Sequence, residues 1–153
     1  AFSALRLQNL TETLSLYGAI SGQLASKNLD VSEKLALGGM YGVRAYPVGE
    51  AYADEGYLAT VEARFLLARL SEHMVGQMHF VVFADTGTVT INKDPWFVGD
   101  NRRTLSGAGV GLTWTDPGNF AIRTYYAQKL GNEVATSAPD KSGRFWIQAV
   151  KYF

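Results

Sequence analysis

The chain has 153 residues, and its 14 basic and 14 acidic side chains give a formal net charge of zero. This neutrality argues against a nucleic-acid partner, which requires a basic surface. Cysteine is absent and neither His73 nor His79 lies in a metal-binding motif, so the sequence predicts no disulfide, metal or cofactor.

Seven β-strands are predicted, each by an alternation of apolar and polar residues with a period of two. In chain order they cover residues 2–8 (a weak strand), 13–26, 57–69, 77–92, 107–114, 120–129 and 144–153. No segment predicts a convincing helix, although residues 30–37 are compatible with a single turn. Sixteen glycines and nineteen aromatic residues (eight Tyr, eight Phe, three Trp) are typical of twisted sheets and barrels.

The connections between these strands alternate between short and long along the whole chain. The short ones are residues 9–12, 71–76 and 115–118, and the long ones are residues 27–56, 93–104 and 132–142. Tight turns therefore gather at one end of the sheet and loops at the other, as in outer-membrane β-barrels with short periplasmic turns and long extracellular loops. Because such bacterial barrels have an even number of strands, we expect these seven to be part of a larger barrel.

The two faces of the predicted sheet differ in polarity. One face carries charged and amide side chains that a packed core would not tolerate unpaired, and that suit a wet barrel lumen: Glu62, Arg64, Asp85, Arg123 and Gln148. The other face is apolar and bears aromatic residues suited to a lipid boundary: Trp114, Phe120, Tyr126 and Phe145. The alternative is a soluble β-sandwich binding module, whose alternation would separate core from solvent. It leaves the asymmetry of the connections unexplained.

The longest connection is rich in glycine and contains Arg44 and three carboxylates, Glu50, Asp54 and Glu55. Loops of this length in compact folds are usually functional. The carboxylates lack the spacing of a calcium-binding loop and the fixed separation of a glycosidase pair. No Ser-His-Asp arrangement or phosphate-binding loop is visible either. The sequence therefore predicts no enzymatic activity and no small-molecule substrate.

Several segments resemble the two-partner secretion transporters of the ShlB/FhaC/HecB hemolysin secretion/activation family, which share a superfamily with BamA. The segment VRAYPVGEAYADEGY resembles that family's VRGYP-type loop, and GQLASKNLDVSEKLALGG resembles the stretch before it. FADTGTV at residues 83–89 resembles its F-x-D-x-G motif, and the terminal Phe153 is similar to the final aromatic residue of such barrels. The resemblance extends over essentially the whole chain.

The resemblance implies a fold and a function. The fold is a sixteen-stranded antiparallel transmembrane barrel in the bacterial outer membrane, of which residues 1–153 form the carboxy-terminal seven strands. In the family, POTRA domains precede the barrel, and this chain contains no POTRA-like βαβ pattern. The implied function is export of a large exoprotein, such as a hemolysin or adhesin. The implied partners are that exoprotein, outer-membrane lipid and the barrel-assembly machinery. A BamA- or TamA-like assembly factor is the alternative within the superfamily.

The resemblance also implies roles for individual residues. The loop folds into the lumen, where Arg44 of the Val43–Arg44–Ala45–Tyr46–Pro47 motif meets Asp85 on the wall, with Glu62 as the next candidate partner. A guanidinium suits this role because a carboxylate accepts its planar fork bidentately. Four glycines, Gly38, Gly39, Gly42 and Gly49, are expected to allow tight packing against the wall. Ala45 and Ala53 depart from the family's usual glycines and are expected to restrict the loop. Phe153 is expected to be the assembly signal.

Overall fold

The computed structural model describes residues 1–67 and 75–153, which form a single antiparallel sheet. Its seven strands follow one another in chain order, each hydrogen-bonded to the next: β1 (Phe2–Asn9), β2 (Leu14–Gln23), β3 (Glu55–Leu66), β4 (Gln77–Thr90), β5 (Arg102–Asp116), β6 (Phe120–Lys129) and β7 (Gly143–Lys151). The predicted all-β, up-and-down arrangement is confirmed. A sandwich needs two sheets, so the β-sandwich alternative is wrong for the described part of the chain.

Helical structure is minimal in the described residues. One turn of 3-10 helix covers Val31–Glu33, within the stretch compatible with a turn, and Asp30 caps it by accepting from the Ser32 amide. No helix among these residues is long and apolar enough to cross a membrane.

The strand boundaries differ from the prediction by up to five residues, and three of the differences matter here. β2 ends at Gln23 rather than at residue 26, and β7 ends at Lys151, so Phe153 lies beyond the ladder. β5 begins at Arg102, five residues early, because polar residues extend its pairing with β4: Thr104 pairs with Thr88 and Ser106 with Thr86 through their hydroxyls. The predicted end of the third strand and the turn at residues 71–76, with His73, lie partly outside the described residues.

The outer face of the sheet is an exposed apolar surface. Its exposed side chains include Val61, Val82, Val110, Phe145 and Ile147. Trp114 and Phe120 meet edge to face at 4.9 Å beside the short turn that joins β5 and β6. Tyr126 lies opposite Phe145 nearer the loop end. An apolar band with aromatic residues towards both ends is typical of a surface that faces lipid.

The core lies between the opposite face of the sheet and residues 24–54, here called the long loop; we call this covered face the lumenal face. The loop contributes Leu37, Val43, Ala45 and Tyr46, each fully buried. The strands contribute the other buried apolar side chains: Val81, Phe83, Val89, Leu105, Tyr125 and Ala127. Burying one large apolar side chain contributes roughly 1.5–3 kcal/mol, so the long loop and the wall stabilise each other.

A row of glycines on β5 makes room for this packing. A Cβ atom on Gly107 would lie 2.5 Å from the Ala45 methyl, and one on Gly109 would lie 2.7 Å from Cζ of Phe83. A Cβ on Gly111 would overlap the Tyr125 ring. The lumenal face of β5 is therefore bare so that the loop and two aromatic rings can lie against its backbone.

We expect Gly109→Ala to destabilise the barrel that contains this sheet by about 1–3 kcal/mol, the usual range for an overpacked core. The new methyl would overlap both the Phe83 ring and the backbone of β6, and backbone does not yield easily. The urea midpoint of the assembled barrel, followed by tryptophan fluorescence, measures the effect. Gly18→Ala is the matched control, because a Cβ there meets nothing within 4 Å. Equal midpoints for the two variants would contradict the packing argument.

Candidate functional site

The candidate site is centred on Arg44, which the long loop carries to the lumenal face of β3 and β4. Arg44 is 4% exposed, and its two carboxylate partners, Asp85 on β4 and Glu62 on β3, are 2% and 5% exposed. Alternation along each strand explains why both carboxylates point to this side. Three charged groups are thus withdrawn from water together, which is tolerable only because Arg44 pairs with both carboxylates and their hydrogen bonds are satisfied.

Arg44 binds Asp85 through three donors. Its Nε lies 2.9 Å from Oδ2 and its Nη2 lies 2.8 Å from Oδ1, a bidentate pair. Its backbone amide also donates to Oδ2 at 3.1 Å. The remaining terminal nitrogen, Nη1, donates to Oε1 of Glu62 at 2.7 Å. A lysine at this position could not make the same set of contacts, because an ammonium lacks the planar fork.

Two aromatic rings pack against the Arg44 guanidinium, and a third aromatic side chain binds the Arg44 backbone. The Arg44 Cζ atom lies 3.4 Å from the centroid of the Phe83 ring and 4.9 Å from that of Tyr125. These two rings meet edge to face at 5.7 Å. From β7, Trp146 donates its indole N–H to the Arg44 carbonyl at 2.7 Å. Cation–π contacts strengthen when the cation is desolvated, so burial and ring stacking support each other here.

The network continues across the wall below Arg44. Thr60 donates its hydroxyl to Asp85 at 2.9 Å, and Arg64 pairs with the second oxygen of Glu62 at 2.8 Å. The Arg64 guanidinium in turn lies 4.4 Å from the Tyr17 ring centroid. Two cations, one on the long loop and one on β3, thus meet one anion on β3 and one on β4, which makes the cluster electrically neutral. Its hydrogen bonds fix the orientation of each member.

The rest of the predicted loop motif packs around this cluster. Tyr46 is fully buried, donates its hydroxyl to the Glu133 carbonyl at 3.1 Å and has the Lys129 ammonium 4.6 Å from its ring centroid. Val43 and Ala45 are fully buried on either side of Arg44, and Pro47 follows at the end of the motif. The structure therefore places all five motif residues together on the lumenal face.

The four loop glycines serve the loop itself rather than the wall, contrary to the expectation. Gly39 and Gly49 have φ angles of 118° and 77°, which favour glycine. A Cβ on Gly38 would lie 2.6 Å from that of Glu50, and one on Gly42 would overlap the Leu37 carbonyl. These glycines let the loop fold compactly against its own backbone.

The alanines at positions 45 and 53 do not strain the loop. Among the non-glycine residues described, positive φ occurs at Ala51, at 56°, and not at Ala45 or Ala53. Both are fully buried, and the Ala45 methyl occupies the space left by Gly107. Both alanines therefore adopt backbone conformations that a methyl group allows.

Glu50 forms a second buried attachment, which the sequence did not reveal. It is fully buried and accepts from Arg103 on β5 at 2.6 Å. The amides and hydroxyls of Thr136 and Ser137, in the β6–β7 loop (residues 130–142), donate to it at 2.7–3.1 Å. Burial alone would raise the pKa of Glu50, but the Ser137 amide, Thr136 and Arg103 outweigh burial and hold that pKa at about 2.

Asp54 forms a third attachment. It is fully buried and pairs with Lys34 at 2.9 Å. It also accepts from the backbone amides of Leu29 at 3.2 Å and of Lys93, in the β4–β5 loop (residues 91–101), at 2.8 Å. Burial opposes its ionisation, yet these donors lower the pKa of Asp54 below its usual range. Two loop carboxylates considered for calcium thus bind protein donors instead, and no cluster of metal ligands occurs in the described residues.

A cavity of about 700 Å³ lies on the lumenal face below Arg44. It extends from Arg44 and Tyr41 towards residues beside the short turns, such as Asn9 and Thr115. Most of its lining is polar or aromatic and includes Tyr17, Ser21, Arg64, His79 and Arg123. Such a wall offers hydrogen bonds to a polar chain. Phe153, the predicted assembly signal, lies away from the Arg44 cluster and the cavity and is fully exposed beyond β7.

Comparisons with known proteins agree with this architecture. The model of the Omp85 superfamily domain matches residues 5–146. Over 149 residues the chain is 32% identical to a protein of Haemophilus influenzae named heme/hemopexin transporter protein HuxB, including the versions from strains KW20 and 86-028NP. The match covers 95% of this chain and 25% of the relative, so the chain spans about a quarter of the length of the curated relatives it matches.

The depressed pKa of Glu50 predicts how docking of the β6–β7 loop depends on pH. Because this pKa lies near 2 in the folded protein and near 4.5 without its partners, ionised Glu50 stabilises docking fully above pH 4.5. The stabilisation then declines as pH falls towards 2. Hydrogen exchange of residues 130–142, corrected for intrinsic rates, should therefore show constant protection from pH 7 to 5 and a loss below. A Glu50→Gln variant with the same profile as the parent would contradict this assignment.

Proposed function

Because the chain belongs to the Omp85 superfamily of the bacterial outer membrane, we propose that it forms the carboxy-terminal part of the barrel of a two-partner secretion transporter. In this proposal residues 1–153 supply seven of sixteen strands, and POTRA domains lie elsewhere in the protein. The cargo is a large secreted partner protein, such as a hemolysin or adhesin. The names of the relatives refer to heme and hemopexin, whereas for this chain we propose a protein substrate.

The observation that carries this proposal is the attachment of the long loop to the wall by Arg44. A loop this long would sample many conformations, and ordering it opposes folding by roughly 1–2 kcal/mol per residue. Three hydrogen bonds to Asp85 and one to Glu62 offset part of this at a single residue. The arrangement fixes the loop across the lumen at a defined height, which is what a gate or constriction in an export channel requires.

The chemistry of the lumenal wall fits passage of an unfolded polypeptide. An extended chain presents backbone amides and carbonyls, and the cavity below Arg44 presents hydroxyl, guanidinium and aromatic groups that can exchange hydrogen bonds with it. Weak, replaceable contacts of this kind favour movement over tight binding.

We expect Arg44→Ala to reduce export at least about tenfold while the barrel still assembles. Removing one partner of a buried charge cluster destabilises it by about 3–5 kcal/mol, since Asp85 would remain buried without a cation and Glu62 would keep only Arg64. Arg44→Lys should also reduce export, because lysine keeps the positive charge but cannot form the bidentate pair with Asp85. The measurement is the amount of exoprotein in the medium, normalised to the amount of heat-modifiable transporter in the outer membrane.

Arg102→Ala is the matched control, because Arg102 is an exposed arginine at the start of β5. It should export at the parental level. Normal export by Arg44→Ala would refute the gate assignment. A strain that lacks the transporter gene tests the alternative. If this strain still exports the exoprotein but loses other barrels from its outer membrane, the chain belongs to a BamA- or TamA-like assembly factor.

A further inference from the structure

The Glu50 attachment differs from the Arg44 cluster in what it joins. Arg44 ties the long loop to the wall, whereas Glu50 ties it to another loop at the extracellular end of the sheet. Arg103 bridges the two, donating to Glu50 at 2.6 Å, to the Val134 carbonyl at 2.8 Å and to the half-exposed Glu133 at 3.3 Å. The β6–β7 loop is thereby held against the segment that follows the VRAYP motif.

Glu50 and Ala135 are closed to solvent beneath Thr136 and Ser137, which are themselves exposed. Ala135 is 7% exposed and belongs to the same buried cluster as Tyr46. Next to it, the Ser137 hydroxyl donates to the Val48 carbonyl at 3.2 Å. Lys129 pairs with Asp140, which also accepts from the Ala135 amide at 2.8 Å. The Ser137–Val48 bond and the burial of Ala135 depend on residues 133–140 lying over residues 46–50, whereas the contacts of Asp140 hold the β6–β7 loop in its own shape.

Several features show that Glu50 organises this contact. Both of its oxygens are used, by two backbone amides, two hydroxyls and one guanidinium. A buried carboxylate with this many donors fits only one arrangement of the two loops, because any shift would leave an ion unpaired away from water. The partners on the β6–β7 loop lie more than 80 residues away along the chain, so the contact exists only when both loops are in place.

We propose that Glu50 is a positioning residue that clasps the β6–β7 loop over the outer half of the long loop and so closes the lumen at its extracellular end. Its release would let that half of the long loop move outward while Arg44 stays bound to Asp85. The significance of this clasp for export rests on the proposed function. The clasp itself does not depend on it.

Cysteine accessibility at position 135 tests the clasp in the intact transporter on whole cells. These 153 residues contain no cysteine, so Ala135→Cys adds a single thiol to this part of the protein. A membrane-impermeant maleimide should label it slowly in the parent and at least about tenfold faster when Glu50→Gln is added. The amide keeps the size of the side chain but loses the charge, and it turns a donor towards the donors of Thr136 and Ser137.

Two further variants separate the clasp from general damage. Glu33→Gln changes an exposed glutamate of the same loop and should label at the parental rate. Glu50→Asp keeps the charge and should restore part of the protection, which a purely steric role would not predict. If Glu50→Gln does not reach the membrane in heat-modifiable form, Thr136→Val with Ser137→Ala removes the hydroxyl donors from the exposed side and should raise labelling in the same direction.

The outcomes distinguish the clasp from the transport function. Parental labelling in both the Glu50→Gln and the hydroxyl-free variants overturns the clasp, whatever export does. Faster labelling with an unchanged ion conductance in planar bilayers overturns the claim that the clasp closes the lumen. Failure of the parent transporter to export any partner refutes the proposed function and leaves the labelling ratio intact.

Discussion

The structure depends on one buried ion cluster, in which Arg44 of the long loop meets Asp85 and Glu62 of the wall. An isolated charge at this depth would be prohibitive, so neither the loop nor the wall can keep its charged residues buried without the other. The aromatic rings of Phe83 and Tyr125 complete the site by packing against the guanidinium. The consequence is a strict match between the loop's position and the register of β3 and β4, because a shift by one residue would turn both carboxylates to the lipid side.

The same logic explains where the other loop carboxylates lie. Glu50 and Asp54 are fully buried at the loop end of the sheet, and each accepts backbone amides from a different neighbouring loop. An amide donor on a loop has no strand partner, and a carboxylate offers it a strong acceptor. The long loop therefore serves as a shared acceptor for two other loops. Arg44 fixes its depth, and Glu50 and Asp54 fix its lateral position.

Features of the fold and the site could be predicted from the sequence where they depend on neighbouring residues, and not where they depend on residues far apart in the chain. The strands could be predicted because the alternation of apolar and polar residues is local. The alternating lengths of the connections predicted that short turns lie at one end of the sheet and long loops at the other. The Arg44–Asp85 contact was expected from two motifs that resemble a known family, not from spacing. The partners of Glu50 lie on a loop whose residues, Thr136 and Ser137, look like ordinary polar loop residues. The early start of β5 was missed for a related reason, since Thr104 and Ser106 bond through hydroxyls and break the apolar alternation.

The glycines of β5 show how closely the wall and the loop are fitted to each other. A barrel wall with a polar lumenal face has no core of its own, and here the loop supplies one through Leu37, Val43 and Tyr46. The Ala45 methyl reaches the wall only because Gly107 has no side chain, so an alanine in the loop and a glycine in the strand depend on each other. If the whole loop left the lumen, Phe83 and Leu105 would be exposed to water along with Asp85 and Glu62. That penalty opposes complete withdrawal of the loop. A smaller motion of its outer half, which leaves Arg44 and these apolar contacts in place, is the movement that the packing permits.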